Sequence, residues 1–199
     1  MIKNIVFDFG NVLVSFDPQY MTGRYIKDEG DVSLVSEVLF DRLYWDRLDA
    51  GTITDGEVVR LSCERLPERL HSDVEKIYYN WIYNIPEIQG MREIVERVRA
   101  SGKRIYLLSN ICEYFAAHAH EIDIIKDFDE CIFSATAGHV KPHADMFEYL
   151  CCHCGIEAEE TLFIDDNAAN IEGARAFGIN AYLFDGDAAS LGRYLEKIL

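Results

Sequence analysis

The chain has 199 residues, 49% hydrophobic and 27% charged, the composition of a globular protein large enough for one substantial core. Its 35 acidic and 19 basic residues leave a formal net charge of −16, which argues against nucleic acid or an anionic membrane surface as partners. No stretch is apolar for long enough to cross a bilayer, and the opening MIKNIVFDFG enters a strand without a signal-peptide pattern, so a cytoplasmic protein is expected.

The apolar run over residues 2–8 predicts a first strand that closes in Asp8. Residues 18–86 then offer no convincing strand. Four helices are predicted there, Gln19–Glu29, Val32–Leu48, Asp55–Leu66 and Ser72–Tyr83, punctuated by Asp49-Ala50-Gly51 and Leu66-Pro67. From Glu87 the pattern alternates. Helix Ile88–Ala100 stops at Gly102, strand Arg104–Leu108 follows, and helical residues resume at Glu113. Strand Cys131–Ser134, helix Ala144–Cys154, strand Thr161–Ile164, helix Ala168–Phe177, strand Asn180–Phe184 and helix Ala188–Ile198 complete the chain. Alternating β and α elements predict a doubly wound parallel α/β sheet, interrupted after its first strand by an all-helical insert. The expected division is 1–17 with 87–199 as the α/β core and 18–86 as the insert.

Cys151-Cys152-His153-Cys154 has the residue types of a zinc site. It lies at the end of a helical run that stops at Gly155, and no second Cys/His pair has suitable spacing. Cys151 and Cys154 continue the face of Phe147 and Leu150 and are predicted to be small packing residues. Without a secretory signal, all six cysteines are expected to be reduced.

Four apolar segments end in polar residues. Ile5-Val6-Phe7 ends in Asp8, Ile105–Leu108 in Ser109-Asn110, Val140 in Lys141-Pro142, and Thr161–Ile164 in Asp165-Asp166. Such runs read as buried parallel strands, and ligands of open α/β sheets bind beyond the carboxyl ends of their strands. A carboxylate, a hydroxyl, an ammonium and a carboxylate pair then face one crevice. That set suits phosphoryl transfer, with a nucleophile, phosphate-binding donors and oxygen ligands for a hard cation. Gly10 and Asn11 tolerate unusual backbone angles, so the chain after Asp8 can curl and turn its N–H groups toward an anion. Ser109 and Asn110 open a strand-to-helix junction that offers a hydroxyl and helix-terminal amides to a phosphate. Pro142 restricts where Lys141 points. Adjacent Asp165 and Asp166 repel unless a cation sits between them, which points to Mg2+, with Asn167 and Asn170 available to orient them.

The ordered set Asp8-Phe9-Gly10-Asn11-Val12, Leu108-Ser109-Asn110, Lys141-Pro142 and Ile164-Asp165-Asp166-Asn167 resembles the haloacid dehalogenase-like hydrolase superfamily over nearly the whole chain. The helical insert looks like that family's small cap. The resemblance implies a Mg2+-dependent phosphatase acting on a small phosphorylated metabolite, such as a hexose phosphate. Asp8 would be the nucleophile that becomes an aspartyl-phosphate, and Ser109 would bind the phosphoryl group. Lys141 would neutralise Asp8 and the transferring oxygens. Asp166, with Asp165 beside it, Asp8 and the Gly10 carbonyl would face the metal. Trp45, Asp46 and the segment Asp49–Thr54 are candidate cap contributors to specificity.

One position departs from the pattern. Most phosphatases of the superfamily carry a second aspartate two residues after the nucleophile, where it protonates the leaving group. Here that residue is Gly10. A bacterial subgroup resembling small sugar-phosphate phosphatases shares this Asp-x-Gly-Asn pattern, and Asp17 is a candidate substitute acid. Two alternatives follow. One is a phosphate-binding regulatory protein with little turnover. The other is a 2-haloacid dehalogenase, against which the Asp165-Asp166 pair argues, since an alkyl-ester mechanism has no use for a cation.

Overall fold

The computed structural model describes all residues, 1–199. Five strands, β1 (Asn4–Phe7), β2 (Arg104–Ser109), β3 (Glu130–Phe133), β4 (Thr161–Asp165) and β5 (Asn180–Leu183), form one sheet in the order β3-β2-β1-β4-β5. Every pairing is parallel. The chain steps from β1 to one side through β2 and β3, then returns to the other side through β4 and β5. The switch point falls between β1 and β4, where Phe7 pairs with Ile164. A crevice opens there beyond the carboxyl ends.

Alternation along the strands sends Ile5, Phe7, Ile105, Leu107, Leu162 and Ile164 into a cluster of 42 buried apolar residues. Val6, Tyr106, Leu108 and Phe163 face the other way, into a cluster of 12 completed by helices α9 (Ala144–Cys154) and α10 (Ala168–Phe177). Cys151 and Cys154 pack, partly buried, against this smaller cluster. With both faces covered, β1, β2 and β4 read as near-continuous apolar runs.

The insert leaves and re-enters at one neck. Ser15 N–H donates to the Pro86 carbonyl (2.8 Å) and Ile88 N–H to the Leu13 carbonyl (3.0 Å), so the two connecting segments run side by side. Between them lie α1 (Pro18–Gly23), α2 (Glu29–Leu39), α3 (Arg42–Asp49), α4 (Asp55–Arg65) and α5 (His71–Tyr78), without a strand. Their apolar faces join the larger cluster, as do those of α6 (Met91–Ala100), α7 (Glu113–His118) and α11 (Ala188–Leu195).

The predicted helix Val32–Leu48 is two helices. Asp41 lies in extended backbone and its Oδ1 accepts from Leu43 N–H (2.9 Å), so it ends α2 and caps α3. The apolar periodicity ran through this break, but a side-chain acceptor for a free helix-end N–H favours a new start. The predicted helix over Ser72–Tyr83 stops at Tyr78, and Trp81–Tyr83 form a separate 3-10 turn. The polar end at Val140-Lys141 does not close a strand. β3 ends at Phe133, the short helix α8 (Ser134–Ala137) follows, and Lys141 sits in the loop leading to α9. Val140 lies two residues from Gly138 on one side and two from Pro142 on the other, and Pro142 has no N–H to give a ladder.

Candidate active site

Asp8 is placed by the sheet. Its N–H donates to the Ile164 carbonyl (2.9 Å), which continues the β1–β4 ladder one residue past the strand and sets the side chain at the switch point. The chain then curls back: Asn11 N–H donates to the Val14 carbonyl (2.7 Å) and the Asn11 Oδ1 accepts from Phe16 N–H (3.1 Å). Asn11 itself, at φ 55°, carries the left-handed conformation that this curl requires. Gly10 does not; its φ lies outside that region, and the nearest atom to an added Cβ would be the Phe16 Cβ at 3.9 Å.

Lys141 is the hub. Its Nζ lies 2.8 Å from Asp8 Oδ1 and 2.8 Å from Asp165 Oδ2, and its side chain is 1% exposed. Burial opposes the charge on Lys141, but the two carboxylates outweigh it and hold the ammonium above its ordinary pKa. Its backbone is clamped: Lys141 N–H donates to Asn110 Oδ1 and the Asn110 amide donates to the Lys141 carbonyl, each at 2.9 Å. A second restraint comes from α10. A Cβ on Gly173 would lie 2.3 Å from the Pro142 carbonyl oxygen, so only glycine lets the helix approach this loop so closely.

Asp165 and Asp166 are adjacent but differ in surroundings. Asp165 is fully buried, and its oxygens accept from Lys141 Nζ, the Asn170 amide (3.1 and 3.0 Å) and Asn167 N–H (2.8 Å). Asp166 is exposed and lines the crevice. The surrounding protein, and then the charge of Asp165, raise its carboxyl above the usual range. One oxygen from each of Asp8, Asp165 and Asp166 lies within 4.8 Å of the others. Burial likewise pushes the Asp8 carboxyl up, more strongly than Lys141 pulls it down. Carboxylates that resist ionising side by side, with oxygens converging on one point, suit a small hard cation.

The cavity over these groups holds about 440 Å³. Its floor is Asp8, Gly10, Asn11, Ser109, Lys141 and Asp166. Asn110 also lines it, although both ends of its side-chain amide are taken by Lys141. The predicted site residues therefore meet at one place, with Asp165 behind Lys141. The Ser109 hydroxyl, at the end of β2, makes no hydrogen bond within the protein and stands free for a ligand. The insert supplies most of the roof, Arg42, Trp45, Asp46 and Asp49 of α3 with Trp81, and Phe16 of the connecting segment completes it. Trp45 is fixed by its Nε1–H bond to the Leu39 carbonyl (2.7 Å) and by ring contacts to Phe16 (5.4 Å) and Trp81 (5.5 Å). Arg42 and Asp46 form an exposed pair at 2.6 Å.

Of the segment Asp49–Thr54, Asp49 alone reaches the cavity. Asp17, the candidate substitute acid, does not. It is exposed and its Oδ1 accepts from Tyr20 N–H (3.1 Å) to cap α1. Sequence reasoning missed the two devices that hold Lys141. Gly173 left a signal, a glycine inside a helix where it costs about 1 kcal/mol relative to alanine unless something packs there. The Asn110 clamp left none, because its two halves are 31 residues apart.

The sequence model of one family, haloacid dehalogenase-like hydrolase, matches residues 2–178. D-ribitol-5-phosphate phosphatase of Bacteroides thetaiotaomicron is 25% identical over 190 residues, covering 92% of this chain and 91% of that protein. A haloacid-dehalogenase-family enzyme from the same organism, solved with magnesium and inorganic phosphate, superposes with a TM-score of 0.74 at 20% identity, covering 96% of this chain and 99% of the other. L-2-haloacid dehalogenase of Xanthobacter autotrophicus shares the fold at a TM-score of 0.68 and 20% identity, covering 99% of this chain and 83% of the other.

Proposed function

The chain belongs to the haloacid dehalogenase-like hydrolase family, and on that premise we propose that it hydrolyses a small phosphate monoester of the sugar or polyol class through an aspartyl-phosphate on Asp8. The observation that carries this reading is the convergence of Asp8, Asp166 and Lys141 under one cavity, with the Asp8 oxygen 2.8 Å from the ammonium. A relative of nearly equal length is named for a pentitol phosphate, and the cavity here has the mixed aromatic and polar walls that a polyol needs.

Mg2+ is the cofactor that fits, because the converging donors are all oxygens. Asp8, Asp166 and the Gly10 carbonyl would hold it, and when bound it supplies positive charge beside the transferring phosphoryl oxygens. Asp165 is assigned a different part. Its hydrogen bonds to Lys141, Asn170 and Asn167 make it the group that aims Lys141. Ser109 donates its hydroxyl to the phosphoryl group, and the N–H groups of the Gly10-Asn11 turn add to that cradle. Asp8 attacks phosphorus as the alcohol departs on the opposite side, and water then releases phosphate from Asp8. Lys141 balances charge at Asp8 in both steps. Residues 18–86 form the cap, whose α3 face selects the alcohol.

The test is phosphate release from a panel of sugar and alditol phosphates, with Mg2+ and with chelator. Turnover that needs the metal and disappears in Asp8→Asn is the expected result. Turnover retained by Asp8→Asn, after excluding deamidation, would overturn the assignment of the nucleophile. Phosphate bound but never released would favour a regulatory binding protein.

A further inference from the structure

Resting on that phosphatase reading, the geometry points to Asp49 as the acid that protonates the leaving alcohol, delivered from the cap in place of the side chain that Gly10 lacks. Four carboxylates line the cavity: Asp8, Asp46, Asp49 and Asp166. Asp8 and Asp166 belong to the nucleophile and cation site. Asp46 is exposed and paired with Arg42 at 2.6 Å. Asp49 remains, and its Oδ1 is buried without a hydrogen-bond partner. An unpartnered buried carboxyl oxygen is costly, and such groups concentrate where chemistry uses them. No histidine lines the cavity to compete for the part.

The backbone of Asp49 is anchored across the domain gap. Its carbonyl accepts from the Ser134 hydroxyl (2.6 Å), and the same hydroxyl accepts from Ile111 N–H (2.9 Å), two residues beyond Ser109. Ser134 is fully buried, so the end of α3 is tied to the core beside the phosphate-binding junction. Gly51 lies close by, where a Cβ would stand 3.5 Å from the Ala135 carbonyl oxygen. The carboxyl is thereby held in the wall of the cavity.

The charge state suits a donor. Burial pushes the Asp49 carboxyl up to about 8. The groups whose charges reach it are Arg42 and Asp46 on its own helix, and Asp8 and Lys141 from the core, with the Cys112 thiol also within range. At neutral pH it carries its proton. As Asp8 forms its bond to phosphorus, the P–O bond to the alcohol breaks and the departing oxygen takes the Asp49 proton. The resulting carboxylate then accepts a proton from the water whose oxygen attacks phosphorus on Asp8. Phosphate leaves, Asp8 is regenerated, and Asp49 is protonated again, so the cycle balances as ester plus water giving alcohol plus phosphate.

The experiment compares kcat/KM for an alditol phosphate, whose alkoxide needs a proton, with that for 2,4-dinitrophenyl phosphate, whose phenolate does not. Asp49→Asn should lower the alkyl value by about 10²–10⁴-fold and the aryl value by about tenfold or less. In the native protein, kcat/KM for the alkyl ester should fall above about pH 8 while the aryl ester shows no such limb, a readout that does not depend on a variant folding. Equal loss on both esters in a folded variant, no loss on either, or the same alkaline limb for both would overturn the assignment of Asp49 and leave the phosphatase reading intact. A native protein that releases phosphate from neither ester with Mg2+ present would overturn the phosphatase reading itself, and this assignment with it.

Discussion

The ammonium of Lys141 touches the carboxylate of Asp8 at 2.8 Å while its side chain is 1% exposed, a buried ion pair at the mouth of the sheet's switch point. Removing one member of a buried pair strands the other charge. Lys141→Met should remove the charge and hydrogen bond that pull the Asp8 carboxyl down, leaving burial and the charge of Asp165 to raise it further. Hydrolysis should fall by about 10²–10³-fold or more, the scale of losing one preorganised donor to the transferring group. Steady-state kcat at saturating Mg2+ checks this. A variant within about tenfold of the native rate would mean that Lys141 serves the fold only.

The same lysine is held from behind. Gly173→Ala places a methyl group 2.3 Å from the Pro142 carbonyl oxygen, a contact that the loop can relieve only by moving. Overpacking of this kind costs about 1–3 kcal/mol. The expected outcome is a kcat reduced by about tenfold or more, since small misplacements of a reacting group are expensive. Mg2+ affinity should change less than kcat, because Asp8 lies on another segment and Asp166, although it leads into α10, follows directly on the paired end of β4. Kinetics with metal titration separates the two effects.

Asp166 and Asp165 should respond differently to substitution. Asp166→Ala removes an exposed oxygen donor that faces the cavity, so the Mg2+ concentration for half-maximal activity should rise by about tenfold or more, the range seen even when groups outside the ligand set are lost. Asp165→Asn should chiefly lower kcat through the loosened Lys141. Activity of the native protein should vanish with strong chelator and return with Mg2+. Equal metal titrations for Asp166→Ala and native protein would remove Asp166 from the ligand set.

How much of this was legible in the chain depends on distance along it. The runs ending in Asp8, Ser109 and Asp165 mark strand ends because both faces of a parallel sheet are covered, and that alone aims them at one crevice. Lys141 shows its chemistry in its residue type but not its place in the fold, since a single Val140 between Gly138 and Pro142 mimics the end of a strand. The helix break at Asp41 was hidden because apolar periodicity continued through Phe40. The Asn110 clamp, the Ser134 tie and the orphaned oxygen of Asp49 are products of tertiary closure, and no local pattern encodes them. Gly10 reads as a missing carboxyl only beside the family's pattern, which usually places a second aspartate there.

The roof separates packing from selection. Trp45 is 6% exposed and wedged among Phe16, Phe40 and Trp81, so Trp45→Ala should cost about 3–5 kcal/mol and depress activity on every ester. Asp46 is exposed, and its pair with Arg42 is worth little to stability. Asp46→Asn should leave the denaturation midpoint nearly unchanged while shifting relative kcat/KM across alditol and sugar phosphates. Denaturation curves beside the ester panel check both. A uniform change across the panel for Asp46→Asn would deny it a part in selection.

Asp49 also sets a pH dependence that is independent of turnover. Its carboxyl is pushed up from an ordinary 3.8 to about 8 by burial, so between those values the folded protein keeps a proton that the unfolded chain has released. The Asp49 contribution to folding stability then falls as pH rises through that window, because at this group the folded state keeps a proton that the unfolded one has lost. One such group gives a slope of at most about 1.4 kcal/mol per pH unit. Asp49→Asn removes the titration but keeps the shape, while Asp8 and Asp166 titrate in both proteins, so the comparison reads Asp49 together with its coupling to Asp8. Urea denaturation in chelator at pH 5 and pH 8 should therefore show the variant gaining stability relative to native protein as pH rises. A difference that stays constant between the two pH values would mean that Asp49 ionises normally in the folded chain, and it would remove the basis for a proton held there at neutral pH.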